Sequence, residues 1–176
     1  MDEFLKKIKL IDTLTIDLPI SRNDFVNKMD AIVEEGSTGL FSSPFEMFSS
    51  SKKDFKGTVN YEGFKIKKRK KLFDRGFNVA IAEGTYTVQN EKLLIETEIN
   101  GFNTFGIPFY IVIIIAYLIF LFFITSTGPN ESLSSILPIL LIHGIAMVLM
   151  PYFMMKKSVT QLKHELEREL YFLTKK

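Results

Sequence analysis

The sequence contains no cysteine and no tryptophan, and it has only two histidines among its 176 residues. Without cysteine the chain forms no disulfide, offers no thiolate to a metal and has no cysteine nucleophile. A metal site built on histidine would also need carboxylate ligands. The formal net charge is only +2, so it indicates no particular partner, and any electrostatic signal must be local.

Recognisable reaction chemistry is missing as well. The sequence shows no nucleophile–base pair, no glycine loop suited to phosphate and no metal-ligand spacing. The acids at Asp74, Glu83, Glu96 and Glu98 fit ordinary positions in loops and strands. No nucleic-acid-binding motif accompanies the basic residues. We therefore expect no enzyme, no cofactor, no metal site and no nucleic-acid partner.

Two long apolar runs are the strongest feature that is present. Residues 107–124 read IPFYIVIIIAYLIFLFFI, and residues 133–155 also contain no Asp, Glu, Lys or Arg. At ~1.5 Å per helical residue, each run is long enough to cross a hydrocarbon layer of ~30 Å. A buried hairpin in a soluble protein is the alternative, but the rest of the chain has little apolar surface to wrap it. The sequence predicts an integral membrane protein with spans at about 107–125 and 133–154 and an external turn at 126–132.

The distribution of basic residues predicts the orientation of this hairpin. The connection at residues 125–132 has no Lys or Arg, whereas Lys156 and Lys157 follow the second span and a basic run at residues 65–71 precedes the first. Short segments rich in Lys and Arg stay in the cytoplasm. We expect both termini in the cytoplasm and the protein in the cell (inner) membrane.

The remaining sequence predicts a sheet with amphipathic helices. Alternating residues predict a strand at 13–21, a capping pair at Ser21 and Asp24 begins a helix of roughly thirteen residues, and further hairpins follow up to Ile99. The fold class is an α+β membrane protein, whose cytoplasmic antiparallel sheet and amphipathic helices are interrupted by a two-helix transmembrane hairpin. The predicted divisions are 1–103 (cytoplasmic α+β domain), 104–155 (hairpin) and 156–176 (cytoplasmic amphipathic helix).

The last predicted helix carries one apolar stripe opposite its charges. Its members are spaced by three or four residues: Val159, Leu162, Leu166, Leu170 and Leu173. The stripe either covers the sheet, which we favour, or pairs with a partner chain. A Ser-rich segment at 37–53 contains several Phe residues. Three alternatives stay open: these residues bury over the open end of the domain, they contact headgroups or a partner, or the segment is disordered.

The run GFKIKKRKKLF, residues 63–73, is interpreted as a strand that continues into a solvated edge. At a period of two, Lys65, Lys67 and Arg69 fall on the exposed face. Together with Lys70 and Lys71 they are the candidate contacts for a membrane surface or a partner. Three interpretations stay open: a solvated face that blocks aggregation, contact with anionic lipid headgroups, and contact with an acidic protein.

Tyr117 and His143 are the polar candidates inside the two spans. They are nearly equidistant from a turn centred near Pro129, so an antiparallel hairpin places them at similar depth. A polar side chain at mid-bilayer needs a hydrogen-bond partner. We expect His143 to bond Tyr117 or a backbone carbonyl, either as a structural contact or as a proton relay or ligand site.

The pattern FKGTVNYEGFKIKKRK, then EGTY, two spans and a charged helix resembles small uncharacterised bacterial two-span membrane proteins. The resemblance covers most of the chain and implies the same architecture, but it implies no activity and no site residues. The expected function is a non-catalytic membrane protein whose cytoplasmic domain is an interaction or assembly module, with a protein partner or a homo-oligomer. The alternative is binding of lipid or a small hydrophobic ligand between the sheet, its helix and the Phe-rich segment.

Overall fold

The computed structural model describes residues 2–39, 53–69, 78–102, 106–127 and 130–174. Most of the Ser-rich segment, together with Lys70, Lys71 and Asp74, lies outside these residues. Within them the chain has a mixed α+β fold, as the sequence predicts, with one sheet, and two of the helices are long and apolar enough to cross a membrane.

The described strands form a six-stranded sheet in the order β1-β6-β5-β4-β3-β2. Their bounds are β1 Ile11–Leu18, β2 Val33–Glu35, β3 Phe55–Val59, β4 Gly63–Lys68, β5 Ile81–Gln89 and β6 Lys92–Asn100. The helices are α1 Asp2–Lys7, α2 Arg22–Ile32, α3 Gly106–Thr127 and α4 Asn130–Leu173. Neighbouring strands are antiparallel except for the short β2, which runs parallel to β3 and was not predicted.

Two tight turns fix the register of the central strands. The Asn60 side chain accepts hydrogen bonds from the backbone N–H groups of Glu62 and Gly63, both at 2.9 Å, and so closes the β3–β4 turn. Asn90 and Glu91 both have positive φ, of 51° and 60°, between β5 and β6. A two-residue turn of this kind matches the right-handed twist of the flanking strands. The resulting register is what sets charged side chains opposite one another on the sheet.

Helix α2 begins where the sequence places its cap. The Ser21 hydroxyl accepts from the Asp24 N–H at 3.1 Å and donates to the Asp24 carboxylate at 2.7 Å. The helix has 11 residues rather than about thirteen, because the chain turns directly into β2. Its buried side chains, Phe25, Val26 and Met29, pack on the sheet.

Helix α4 runs across the predicted division between the hairpin and the last amphipathic helix at residue 155. It is one continuous helix of 44 residues, so the second apolar run and the last amphipathic helix are a single element. Pro151 lacks the N–H group needed for one hydrogen bond of the helix, yet the helix continues past it. No glycine or proline follows in the sequence to end the helix earlier than Leu173. Leu162, Leu166 and Leu170 are buried in the same core as the strands, so the leucine stripe covers the sheet.

Tyr86 is a buried member of this core. Its ring packs edge-on against Phe25, with ring centroids 5.1 Å apart, and is tilted against Phe64. Burial raises the pKa of the Tyr86 phenol, and the positive charge of Arg22 opposes part of that shift. Among the described residues the Tyr86 hydroxyl has no hydrogen-bond partner, so it contributes to the core through its ring.

Candidate interaction surfaces

The apolar helices expose their side chains on all sides. Val112 is 63% exposed and Phe122 is 69% exposed on α3, and the apolar half of α4 is equally open. Although α3 contacts α4, no residue from Ile107 to Ile124 is fully buried in the described part of the chain. Isolated apolar residues on a surface are ordinary, but a continuous apolar surface marks an interaction site or a membrane segment.

Tyr117 and His143 meet between these two helices. The Tyr117 hydroxyl lies 2.6 Å from Nδ1 of His143, and the two rings stack with centroids 5.9 Å apart. Gly144 makes room for the tyrosine, because a Cβ at that position would lie 3.3 Å from the Tyr117 hydroxyl. The structure therefore brings together the pair that the sequence indicates, while its location inside a bilayer stays a prediction.

The pair opens onto an apolar groove of about 360 Å³ between the helices. The rest of the lining is aliphatic or aromatic: Ile113, Ala116, Phe120, Ile139, Leu140 and Met147. Tyr117 and His143 are thus the polar side chains of an otherwise apolar surface.

Tyrosines and lysines surround the base of the hairpin, where it meets the sheet. The Tyr110 hydroxyl donates to the Val148 carbonyl at 2.9 Å, and the Tyr152 hydroxyl donates to the Ile8 carbonyl at 3.1 Å. The Lys156 ammonium lies 5.8 Å from the centre of the Tyr152 ring. We call this region the hairpin base.

Helix α1 packs against the hairpin base and was missed by the sequence analysis. Leu5 is buried there, while Lys6, Lys7 and the following Lys9 are exposed. The spacing of Phe4, Leu5 and Ile8, with lysines between them, is the signal that could have revealed a short amphipathic helix. This helix brings exposed lysines to the hairpin base, where α3 begins and the apolar part of α4 ends.

The basic run on β4 differs from its prediction. Lys65 is exposed and pairs with Glu83 at 2.6 Å, but Lys67 is only 8% exposed and Arg69 only 3%. The expectation that all three lie on an exposed face is wrong for Lys67 and Arg69. The Lys67 ammonium lies 3.5 Å from the Gly39 carbonyl, so the described chain after β2 reaches this end of the strand.

Two cations at the end of this run, the half-buried Lys68 and the buried Arg69, have carboxylate partners. Lys68 faces the helices and bonds the Glu165 carboxylate of α4 at 2.5 Å. Arg69 lies 3.2 Å from the Glu34 carboxylate beside β2. These contacts tie β4 to α4 and to the sheet edge. Arg69, which the sequence predicts to contact a membrane surface or a partner, therefore has a structural role.

The sheet face opposite the helices is open and acidic. It forms a concavity with a volume of about 700 Å³. The charged side chains that line it are the carboxylates of Glu62, Glu83, Glu96 and Glu98 and the single ammonium of Lys65. Threonines supply much of the remaining lining: Thr13, Thr15, Thr58 and Thr85. We call this surface the open face.

The strand register concentrates the charges of the open face. Glu83 lies directly opposite Glu98 on β6 and directly opposite Lys65 on β4. Like charges in directly opposed positions destabilise a sheet, and Lys65 relieves this repulsion on one side only. The sequence shows that Glu96 and Glu98 share one side of a strand, but only the sheet adds Glu83 and Glu62 to them.

Among the described residues, no three His, Asp or Glu side chains are grouped so that they could hold a metal ion. Comparison of the chain with protein-family models, with curated proteins and with solved structures finds no match. Function is therefore inferred from the apolar hairpin, the hairpin base and the open face.

Proposed function

We propose that the chain is a non-catalytic integral membrane protein whose sheet is an interaction module held at the cytoplasmic surface of the cell membrane. In this proposal α3 and α4 cross the bilayer as a hairpin, and both ends of the chain lie in the cytoplasm. The open face then binds a basic segment of a protein partner.

The continuity of α4 is the observation that carries this proposal. One helix contributes both to the apolar hairpin and, through Leu162, Leu166 and Leu170, to the core of the sheet. From Tyr152 to Leu173 the helix extends by about 30 Å at its usual rise per residue. A continuous helical connection of this kind keeps the sheet close to the membrane instead of leaving it on a flexible tether.

The hairpin base has the composition of a membrane–water boundary. Tyr110 and Tyr152 lie where the apolar surface ends, and Lys156 and Lys157 follow immediately along α4. Tyrosine is enriched at such boundaries, and lysine beside a span favours the cytoplasmic side. The exposed lysines of α1 add to this basic surface, so we assign contact with anionic headgroups to the hairpin base.

The open face is suited to a cationic partner. Its excess of carboxylates favours association with lysine- or arginine-bearing segments and disfavours an anionic membrane surface. Its threonines can donate and accept further hydrogen bonds. Because the hairpin and the hairpin base lie elsewhere, the open face is free to bind such a segment while the protein is in the membrane.

Single cysteines test the membrane part of the proposal, since the chain contains none of its own. Ser126→Cys, at the first residue of the predicted external turn, should react with a membrane-impermeant maleimide on intact cells. Thr174→Cys, near the other end of α4, should react only after permeabilisation. Both variants should resist extraction from membranes by alkaline carbonate. The reverse labelling pattern, or release by carbonate, would contradict the proposed topology.

A photoreactive residue tests the docking part. Placed at the exposed position Thr85 in the full-length protein in cells, it should form a discrete crosslink to a protein with a basic segment. The crosslink should disappear when Glu96→Gln and Glu98→Gln are combined and should persist in Glu91→Gln, which removes an exposed acid outside the open face. A crosslink that survives the double substitution, or none at all, would rule out this function for the open face.

A second function is favoured by a groove at the hairpin base. This apolar groove of about 360 Å³ is lined by α1 and by the lower parts of α3 and α4, and its members include Phe4, Ile8, Phe102 and Leu149. Its size and lining suit an acyl chain. If the protein binds lipid there, native mass spectrometry should detect a retained lipid that Ile8→Trp displaces and that the groove-distant Ile115→Trp leaves in place.

A further inference from the structure

The Tyr117–His143 pair has hydrogen-bonding capacity that the hairpin does not use. The hydroxyl and Nδ1 satisfy one another at 2.6 Å, and among the described residues no other hydrogen bond to either side chain is present. Nε2 of His143 and one side of the Tyr117 oxygen therefore remain available in the apolar groove. In hydrocarbon, unsatisfied polar groups are costly, so they tend to face protein and find partners.

The unused capacity is the same in either histidine tautomer. If Tyr117 donates to Nδ1, then Nε2 carries a hydrogen and the Tyr117 oxygen can accept. If Nδ1 carries the hydrogen and donates, then Nε2 can accept and the Tyr117 hydroxyl can donate. The pair thus presents one donor and one acceptor in both cases. A group with this property is complementary to a second copy of itself.

We propose that two copies of this chain associate in the membrane through the groove, with each His143 Nε2 hydrogen-bonded to the Tyr117 oxygen of the other copy. Two copies inserted with the same orientation hold the pair at the same depth. A two-fold axis along the membrane normal then brings each histidine opposite the other copy's tyrosine, which closes a ring of four hydrogen bonds. An acyl chain in the groove would offer no donor or acceptor at that depth.

The groove also provides the close approach that such a contact needs. Ala116 is a small residue in its lining, and Gly144 lets Tyr117 lie close to α4. Small residues allow helices in membranes to pack closely, and interhelical hydrogen bonds add modestly to their association. The inference rests on the membrane insertion in the proposed function and is independent of what binds the open face.

Disulfide crosslinking of the full-length protein in vesicles, at a low protein-to-lipid ratio, tests the interface. Ile113→Cys lines the groove, whereas Ile115→Cys lies on the other side of α3 and is 51% exposed. The two positions differ in depth by only about 3 Å, because they are two residues apart. An oxidant should convert the Ile113→Cys protein to a disulfide dimer and leave the Ile115→Cys protein largely monomeric.

Tyr117→Phe in the Ile113→Cys background tests the hydrogen bonds, since it keeps the ring and removes the hydroxyl. The crosslinking rate should fall by about threefold to tenfold, which corresponds to the modest strength of hydrogen bonds between membrane helices. Equal crosslinking at both positions, none at either, or an unchanged rate in Tyr117→Phe would overturn the inference. Alkaline carbonate extraction of the same vesicles keeps the two proposals distinct, because loss of insertion would overturn both, whereas inserted monomers would overturn the dimer alone.

Discussion

Ser158 on α4 provides a sharp test of how the helix is attached to the sheet. Its buried hydroxyl oxygen accepts hydrogen bonds from the backbone N–H groups of Val79 and Ala80, both at 3.0 Å, just before β5. Ser158→Ala leaves both buried N–H groups without this acceptor. At about 1–3 kcal/mol for each unsatisfied group, we expect the two groups together to cost about 2–6 kcal/mol.

Hydrogen exchange measured by mass spectrometry on the full-length protein in nanodiscs can resolve this loss. The peptide that contains Val79 and Ala80 should exchange at least about thirtyfold faster in Ser158→Ala. This factor corresponds to the lower bound of about 2 kcal/mol, since each 1.4 kcal/mol is a factor of ten. Thr160→Ala is the matched control, because the exposed Thr160 hydroxyl donates to the Lys156 carbonyl of its own helix at 3.1 Å. That variant should change stability by less than about 0.5 kcal/mol. Equal exchange in the two variants would refute the role of Ser158.

The remaining predictions concern the basic run and the core. Arg69→Gln should destabilise the protein by at least about 1 kcal/mol, because it leaves the Glu34 carboxylate beside an uncharged group. Lys65→Gln removes one partner of an exposed ion pair and should cost less than about 1 kcal/mol. Thermal unfolding in detergent compares the stability of the two variants. Burial raises the pKa of Tyr86 above its ordinary value of 10, so the associated stability is complete below pH 10 and falls as the pH rises beyond it. Above pH 10 the unmodified protein should lose stability relative to Tyr86→Phe, and parallel pH curves for the two proteins would contradict this.

The basic run shows a feature that periodicity in the sequence does not predict, namely the burial of Lys67 and Arg69. A period of two assigned Lys67 and Arg69 to one face of β4, and in the structure their side chains do lie on the face away from Ile66 and Lys68. The period does not predict whether other parts of the chain pack against that face. The covering groups come from distant parts of the chain, near Gly39 and at Glu34. Burial of the two cations was therefore decided by tertiary structure.

The Tyr117–His143 contact shows the opposite case. Equal distances from a short turn are enough to place two residues at one level of an antiparallel hairpin, because helical rise per residue is constant. The distance of 2.6 Å between the Tyr117 hydroxyl and Nδ1 of His143 agrees with this expectation. Likewise, the Ser21–Asp24 cap is readable from sequence because both partners are within one turn of the helix they begin.

By itself the sequence determined the features that depend on neighbours along the chain: the two apolar helices, the capping pair, most strands and the stripe of leucines on α4. Only the tertiary structure decided that α4 is unbroken from the hairpin to the sheet, and that Glu62, Glu83, Glu96 and Glu98 meet on one open face. The physical reason is that local periodicity fixes which side of an element a residue occupies. What lies against that side depends on strand order and register, which are set by contacts between residues far apart in the sequence.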